Sequence, residues 1–197
     1  MAKYIVGITG ASGSIYGAKL TEELLKYNNE VFLVITDNGR RVLEFELELE
    51  FEKWINDLNE VYGRLNLCDI NDMFSSVASG SFKTDGMVIA PCSMGTLSKI
   101  SNGITDNLLI RAADVIIKEK RKLILVPRET PFSSIHLKNM LVLSDMNVTI
   151  LPPMPAFYNK PKSIDEIVDN TVGRILASLD VDNRLYKEWN GHSHDRN

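Results

Sequence analysis

Residues 4–13 read YIVGITGASG, an apolar run that leads directly into a glycine-rich turn. The run Tyr4–Ile8 has the composition of a strand that is buried on both faces. Gly10 and Gly13 permit a tight turn and let backbone N–H groups approach a ligand, and a helical pattern begins at once. A turn between a buried strand and a helix N-terminus is typical of phosphate sites, although it also fits a purely structural turn.

Four further apolar runs alternate with amphipathic segments, in one of which Leu108, Ala112 and Val115 recur at helical spacing. This alternation predicts an α/β fold: a doubly wound parallel sheet of Rossmann or flavodoxin-like type, with helices on both faces in three layers. We expect one domain over residues 1–180 and a polar tail over residues 181–197. The further strands are predicted at Val31–Ile35, Met87–Ala90, Leu123–Val126 and Val148–Leu151.

Residues 44–52, EFELELEFE, do not fit this alternation cleanly. Strict alternation of apolar and charged residues predicts a half-exposed strand. The segment nevertheless follows residues 39–43, where the fold requires a helix. The sequence therefore leaves the state of residues 44–52 open.

The composition argues against two classes of partner. The chain has 197 residues, of which 44% are apolar, and a formal net charge of -4 at pH 7. An acidic chain offers no electrostatic footprint for nucleic acid or for an anionic membrane, and none of the apolar runs is long enough to span a bilayer. We therefore expect neither nucleic acid nor a membrane as a partner.

The two cysteines, Cys68 and Cys92, have no metal-like spacing, and no signal peptide is visible. This usage is typical of reduced thiols in the cytoplasm. His192 and His194 could touch a metal ion, but they lie in the polar tail, where a frayed terminus is the better interpretation. We therefore expect a cytoplasmic protein that holds no metal.

Hydroxyl side chains follow the second and third predicted strands. Thr36 ends the second strand, and Ser93 and Thr96 flank Gly95 after the third. These groups could contact a planar ring or a ribityl chain, although Ser93 could equally be an ordinary helix cap. Cys92 in the same turn is a weak candidate nucleophile, because no histidine is near in sequence and its surroundings are apolar.

Charged side chains follow the fourth predicted strand. Arg128 and Glu129 lie between two prolines, and Arg128 suits a phosphate or a carboxylate, although a surface ion pair also fits. Arg111 and Lys118 lie seven residues apart, so they share one face of a helix. Together with Arg174 they could form a cationic pocket for a second phosphate.

The chain resembles the UbiX family of flavin prenyltransferases over residues 3–191. The resemblance rests on several long motifs: GITGASG (7–13), ASGSF (78–82), GMVIAPCSMGTLSKI (86–100), DNLLIRAADVIIKE (106–119), LVPRETP (125–131), IHLKNML (135–141) and PPMPAFY (152–158). The ending KEWNG (187–191) is similar to the branch of the family that accompanies hydroxyaryl-acid decarboxylases.

This resemblance implies an enzyme that binds FMN and joins it to a dimethylallyl group. The donor is dimethylallyl phosphate, or the pyrophosphate in some members. A C–N bond forms at N5 of the reduced flavin and a C–C bond at C6, and the prenylated FMN then serves a separate decarboxylase of the UbiD type. The resemblance also implies a reaction without metal and a homo-oligomer, a dodecamer, whose sites are built between subunits.

By motif position, the resemblance implies a role for three sets of residues. The flavin-binding positions are Gly10, Ala11, Ser12, Thr36, Ser93, Met94, Gly95, Thr96 and Arg128. The prenyl-phosphate positions are Arg111, Lys118, Glu129, Tyr158 and Arg174. The catalytic positions are Glu129, Glu46, Ser12 and Tyr158.

The residue types suit the implied reaction. Arginine and lysine side chains neutralise the charge on a departing phosphate. A shielded carboxylate, Glu129 or Glu46, can move the ring protons, and the rings of residues 157–158 can wall a dry site for an allylic cation. Two positions depart from the family pattern: Thr36 stands where serine is more usual, and Gly95 where some members carry lysine.

Three other classes compete with this interpretation. A nicotinamide dehydrogenase of the short-chain type would need Tyr158 and Lys162 on one helix, but Pro155 and Pro161 argue against that helix. A flavin-dependent cysteine decarboxylase carries asparagine after the methionine of this loop, whereas here Pro155 follows Met154. A flavin carrier without catalysis is disfavoured by the complete set of prenyl-phosphate residues.

Overall fold

Six strands form one sheet in residues 1–185, the part of the chain that this computed structural model describes. The strands lie in the order β3-β2-β1-β4-β5-β6, and every neighbouring pair is parallel. The strand order reverses between β1 and β4, which places a crevice at the carboxyl ends of these two strands. The strands are β1 Lys3–Ile8, β2 Glu30–Ile35, β3 Leu65–Cys68, β4 Gly86–Cys92, β5 Leu123–Pro127 and β6 Thr149–Ile150.

Helices cover both faces of the sheet. The first, second, third and seventh helices pack on one face, where they meet Val6 and Ile8 of β1, and the fourth to sixth pack on the other, where they meet Ile5. The prediction of a three-layer, doubly wound α/β fold is confirmed. The helices are α1 Ser14–Lys26, α2 Asp37–Leu47, α3 Phe51–Tyr62, α4 Met94–Ser101, α5 Leu108–Lys118, α6 Ser134–Asp145 and α7 Ile164–Ser178.

Residues 44–52 form the end of one helix and the start of the next, not a strand. Helix α2 ends at Leu47, Glu48 adopts a left-handed conformation with φ of 50°, and α3 begins at Phe51. Phe51 is buried in the core, whereas Phe45 is 85% exposed. The strict alternation therefore arises because the chain changes direction between two amphipathic helices.

The sequence analysis missed strand β3. This edge strand has only four residues, LNLC, and its two middle residues are exposed. Such a strand gives neither a continuous apolar run nor a long alternation. The last predicted strand, Val148–Leu151, forms only the shorter β6.

The residues that follow α7 contact the domain. Val181 and Leu185 pack against the core, and Asn183 donates to the carbonyl of Gly173 at 3.1 Å. The domain limit at residue 180 stays a prediction, and His192, His194 and the KEWNG motif lie outside the described residues. Within residues 1–185, none of the helices is long and apolar enough to cross a membrane.

We expect Gly17→Ala to destabilise the protein and Gly95→Ala to stabilise it slightly. A Cβ atom at Gly17 would lie 2.1 Å from the carbonyl oxygen of Ala90, whereas one at Gly95 would meet nothing within 4 Å. Overpacking typically lowers the free energy of unfolding by about 1–3 kcal/mol, and replacing an unconstrained helical glycine raises it by about 0.5–1 kcal/mol. Denaturant unfolding of the flavin-free variants measures the change in the free energy of unfolding for each. Similar changes for the two variants would contradict this packing argument.

Candidate active site

The crevice between β1 and β4 is held together by the hydroxyl of Thr9. This buried side chain donates to the carbonyl oxygen of Pro91 at 2.7 Å and accepts from the backbone N–H of Ser93 at 2.8 Å. The turn after β1 is thereby fixed to the turn after β4, which brings the two sequence motifs side by side. The sequence analysis gave Thr9 no role. A hydroxyl at a strand end next to a glycine turn was the only signal for it.

The N-terminus of α1 binds the side chain of Glu46. Gly13 precedes the helix with φ of 95°, and its N–H donates to a Glu46 carboxylate oxygen at 3.0 Å. The same oxygen accepts from the backbone N–H of Ser14 at 2.9 Å and from the Ser14 hydroxyl at 2.6 Å. A carboxylate from the last turn of α2 therefore caps α1, where amide groups and the helix dipole favour negative charge.

These contacts determine the protonation state of Glu46. Burial of the carboxyl raises its pKa, but hydrogen bonds from the hydroxyls of Ser12 and Ser14 and from the amides of Ser14 and Gly13 outweigh it, and the net pKa is lowered. Glu46 is consequently a carboxylate at neutral pH. In that form it accepts a proton rather than donates one.

The phosphate interpretation of the glycine turn is not supported by these contacts. The amides of Gly13 and Ser14, which would face a phosphate, are occupied by the chain's own carboxylate. Gly10 serves close packing instead, because a Cβ atom there would lie 2.7 Å from Cβ of Asn38. Ala11 and Ser12 remain half-buried at the edge of the crevice.

Helix capping accounts for the hydroxyls after β2 and β4. The Thr36 hydroxyl accepts from the N–H of Gly39 at 3.0 Å and caps α2. The Ser93 hydroxyl accepts from the N–H of Thr96 at 3.3 Å, lies 3.0 Å from the Thr96 hydroxyl, and caps α4. Ser93 is thus a helix cap, one of the two roles that the sequence left open. A hydroxyl that caps a helix can still contact a ligand.

The remaining positions of this turn differ in what they can offer a ligand. Met94 is buried in the core, so its backbone rather than its side chain can face the crevice. Gly95 is exposed with open space around it. Cys92 is fully buried, and burial raises the pKa of its thiol. Both features make it a poor nucleophile, as the sequence analysis expected.

Arg128 and Glu129 lie exposed directly after β5. The backbone N–H of Arg128 donates to the carbonyl of Cys92 at 3.3 Å, which holds this loop beside the turn after β4. The N–H of Thr130 donates to the Glu129 carboxylate at 3.0 Å. Within residues 1–185, the Arg128 guanidinium has no hydrogen bond or ion pair, so it is available for an anion.

The predicted cationic pocket is not formed within one chain. Arg111 and Lys118 lie on α5, whereas Arg174 lies on α7, on the opposite face of the sheet. Arg111 donates to the carbonyl of Ala78 at 3.2 Å and to the Asp114 carboxylate at 2.8 Å. The Lys118 ammonium donates to the carboxylate of Glu119.

Arg174 and Tyr158 line an open cavity of about 400 Å³ beside β6. Its other walls are largely apolar and come from the end of the sheet, the loop that follows it and α7: Ile150, Leu151, Pro152, Met154, Ala156, Asn170 and Thr171. A cation beside an apolar cavity suits a ligand with a charged head and a hydrocarbon tail.

Residues 1–176 match the flavoprotein family. The flavin prenyltransferase UbiX of Alkalihalophilus pseudofirmus is 50% identical over 188 residues, which cover 93% of this chain and 94% of that relative. The chain belongs to the UbiX family of flavin prenyltransferases. The UbiX of Methanocaldococcus jannaschii is 46% identical, over 95% of this chain and 98% of its own.

Solved structures of UbiX proteins share the fold over nearly the whole chain. AnUbiX in complex with FMN and dimethylallyl pyrophosphate superposes with a TM-score of 0.90 at 40% identity, covering 98% of this chain and 99% of AnUbiX. A dodecameric FMN-dependent UbiX-like decarboxylase from Escherichia coli O157:H7 gives 0.88 at 43% identity, covering 96% and 100%.

The alternative classes of enzyme have weaker structural support than the UbiX family. The peptidyl-cysteine decarboxylase EpiD has a TM-score of 0.60 at 18% identity, covering 90% of this chain and 97% of its own, a likeness that shows the fold alone. Tyr158 and Lys162 lie outside any helix, as the flanking prolines predict, so a dehydrogenase pair is not formed.

Within residues 1–185, His, Cys, Asp and Glu form no group of three or more that could hold a metal ion.

We expect Glu46→Gln to lower the free energy of unfolding by about 0.3–2 kcal/mol at pH 7, because the amide can still accept a hydrogen bond but the negative charge at the start of α1 is lost. Because the pKa of Glu46 is lowered in the folded protein, its contribution is present above the unfolded value near 4.5 and is lost as the pH falls through the folded value. The difference between the two proteins should therefore shrink below about pH 4.5.

The measurement is denaturant unfolding of flavin-free protein across this pH range. Glu50→Gln is the matched control, because Glu50 precedes α3 and its side chain makes no capping hydrogen bond. A pH-independent difference for Glu46→Gln, or an equal loss for Glu50→Gln, would contradict the capping role.

Proposed function

We propose that the chain transfers a dimethylallyl group from dimethylallyl phosphate to N5 and C6 of reduced FMN. The product, prenylated FMN, would serve an aromatic-acid decarboxylase of the UbiD type. The observation that carries this proposal is the likeness, over nearly the whole chain, to a UbiX structure that contains both FMN and a dimethylallyl donor. Because Cys68 and Cys92 are free thiols, we place the enzyme in the cytoplasm.

The residues around the crevice fit FMN. Gly95 leaves open space after β4, where a flavin ring could approach the backbone. Since Glu46 occupies the start of α1, we assign the flavin phosphate to the free guanidinium of Arg128 after β5. The Thr36 hydroxyl lies at the same sheet edge but after β2, with β1 and β4 between them, so it would meet another part of FMN. The backbone of residues 10–12 and 93–96 would then border the ring and the ribityl chain.

Two carboxylates have contrasting surroundings and therefore suit different roles. Glu46 is ionised through its contacts with Ser12, Gly13 and Ser14, so we assign it the acceptance of a proton, with Ser12 as its hydrogen-bonded partner. Glu129 is exposed and accepts a hydrogen bond from the adjacent N–H of Thr130. We assign Glu129 to the prenyl-phosphate side, where Tyr158 and Arg174 bind and stabilise the departing phosphate.

We further propose that each site is shared between subunits. Arg111 and Lys118 are separated from Arg174 by the sheet within one chain, so a complete cationic pocket requires a second copy. The dodecameric E. coli relative supports an assembly of this kind for the present chain.

Helix α6 offers a surface for such an assembly. Of its side chains, only Leu143 is buried, although the helix is largely apolar. Ile135 is 66% exposed, Leu137 55% and Leu141 61%, and Met146 directly after the helix is 47% exposed. Several large apolar side chains exposed on one helix mark an interaction surface, so we assign this face to a second copy of this chain.

Turnover tests the proposed reaction. Protein mixed with reduced FMN and dimethylallyl phosphate should yield a heavier flavin by mass spectrometry. Arg174→Ala should leave FMN binding nearly unchanged and raise the donor requirement roughly 10- to 150-fold, the loss of about 1.5–3 kcal/mol from a charge-assisted hydrogen bond. Tyr158→Phe should cost less, about 0.5–1.5 kcal/mol, and Arg128→Ala should weaken FMN binding itself.

Each result has an opposing outcome. If neither the monophosphate nor the pyrophosphate donor yields a heavier flavin, the proposed reaction is refuted. Loss of FMN binding in Arg174→Ala would give that arginine a structural role. Unchanged FMN binding in Arg128→Ala would refute the phosphate assignment alone.

Mixed oligomers test whether the site is shared. Coexpressed Arg111→Ala and Arg174→Ala chains should recover about one quarter of wild-type turnover, because random assembly gives that fraction of sites an intact residue from each copy. Coexpressed Arg111→Ala and Lys118→Ala chains are the matched control. Both residues belong to one helix, so this mixture should recover nothing. Equal turnover in the two mixtures would refute the shared site.

A further inference from the structure

The loop between β5 and α6, residues 128–133, carries two residues of the proposed site, Arg128 and Glu129. Its near end is held by the hydrogen bond from the backbone N–H of Arg128 to the carbonyl of Cys92. Within the described part of the chain, the hydrogen bond of the Glu129 carboxylate is to the N–H of the following loop residue, Thr130. The backbone of Arg128 is thus held at the near end, and the direction in which the two side chains leave the loop depends also on what fixes the far end.

His136 fixes that far end through a reciprocal pair of hydrogen bonds. The backbone N–H of His136 donates to the hydroxyl of Ser133 at 3.3 Å, and the backbone N–H of Ser133 donates to Nδ1 of His136 at 3.2 Å. This is a capping box in which imidazole replaces the usual glutamate or glutamine. Nδ1 is the acceptor of this bond, so the tautomer that makes it carries its hydrogen on Nε2.

The same imidazole also contacts the loop on its other side. The rings of His136 and Phe132 meet edge to face, with centroids 6.4 Å apart and an interplanar angle of 88°. Phe132 in turn packs against the hydrophobic core beneath α4, α5 and α6. One side chain thus ties the last two residues of the loop, Phe132 and Ser133, to the first turn of α6.

We propose that His136 is a positioning residue, which fixes the loop so that Arg128 is presented to the phosphate of FMN. This inference rests on the proposed assignment of Arg128 to FMN. The box joins Ser133 and His136 and does not include Leu143, the side chain that α6 buries in this chain, so losing the box should loosen the loop and leave the core packed. The effect of His136 should therefore appear in ligand binding, because a looser loop loses more conformational freedom when FMN binds.

A double-mutant cycle on FMN affinity tests the proposal in the full-length protein. His136→Ala should raise the dissociation constant of FMN roughly threefold to tenfold. In an Arg128→Ala background the same change should have no further effect, because the group that the loop positions is already absent. A purely structural role would instead lower FMN affinity by the same factor in both backgrounds, and that result would overturn the proposal.

Two further variants complete the experiment. His136→Gln restores the acceptor of a standard capping box, so it should bind FMN within about twofold of wild type. Lys138→Ala, two residues further along α6, should bind FMN as wild type does. If His136→Ala does not fold, His136→Gln decides alone: near wild-type affinity supports the proposal, and weak binding at an unchanged melting temperature overturns it. FMN binding is measured without a prenyl donor, so failure of the transfer reaction would not affect this result.

Discussion

The carboxylate of Glu46 at the start of α1 is the contact on which the organisation of this site depends. It joins the last turn of α2 to the glycine turn after β1 and uses the amides that a helix N-terminus normally offers to an anion. Those two amides, of Gly13 and Ser14, are therefore not available to a phosphate while Glu46 is bound. This is the reason for proposing Arg128 as the phosphate-binding group, since its guanidinium lies on the same sheet edge and has no hydrogen bond or ion pair within residues 1–185. The same contact lowers the pKa of Glu46, so one interaction both shapes the turn and keeps the side chain ionised.

The sheet explains why a single chain holds only part of the proposed machinery. A doubly wound fold places successive helices on opposite faces, so α5 and α7 are separated by the sheet. Arg111 is turned towards Ala78 and Asp114, and Arg174 towards a cavity beside β6. Motif spacing cannot reveal this separation, because residues that share a ligand in an oligomer leave the same sequence record as residues that share one within a chain. In the proposed assembly, a second copy brings together the positions that the predicted pocket combined.

Sequence patterns predicted the layers of the fold because buried parallel strands are continuous apolar runs, as in Tyr4–Ile8. They missed β3, whose exposed edge position removes that signal. They left residues 44–52 open because a bend between two amphipathic helices produces the alternation of a strand. Periodicity could not have found the Glu46 cap, whose partners are 32 and 33 residues distant. Its place in the site came from the family resemblance, and the assignment of site residues stays a proposal.

In the proposed assembly, the second copy that covers the outer face of α6 would also complete the site. The helix begins directly after the loop that carries Arg128 and Glu129, and its outer face exposes Ile135, Leu137 and Leu141. A second copy packed on this face would bury those apolar side chains and remove water from the neighbouring loop. Charges that are screened in the isolated chain would then act in a medium of lower dielectric, where a cation stabilises a departing phosphate more strongly. The hydrophobic contact that drives association would thus also raise the electrostatic strength of the site, which gives a physical reason for an enzyme with small, half-open crevices to work as an oligomer.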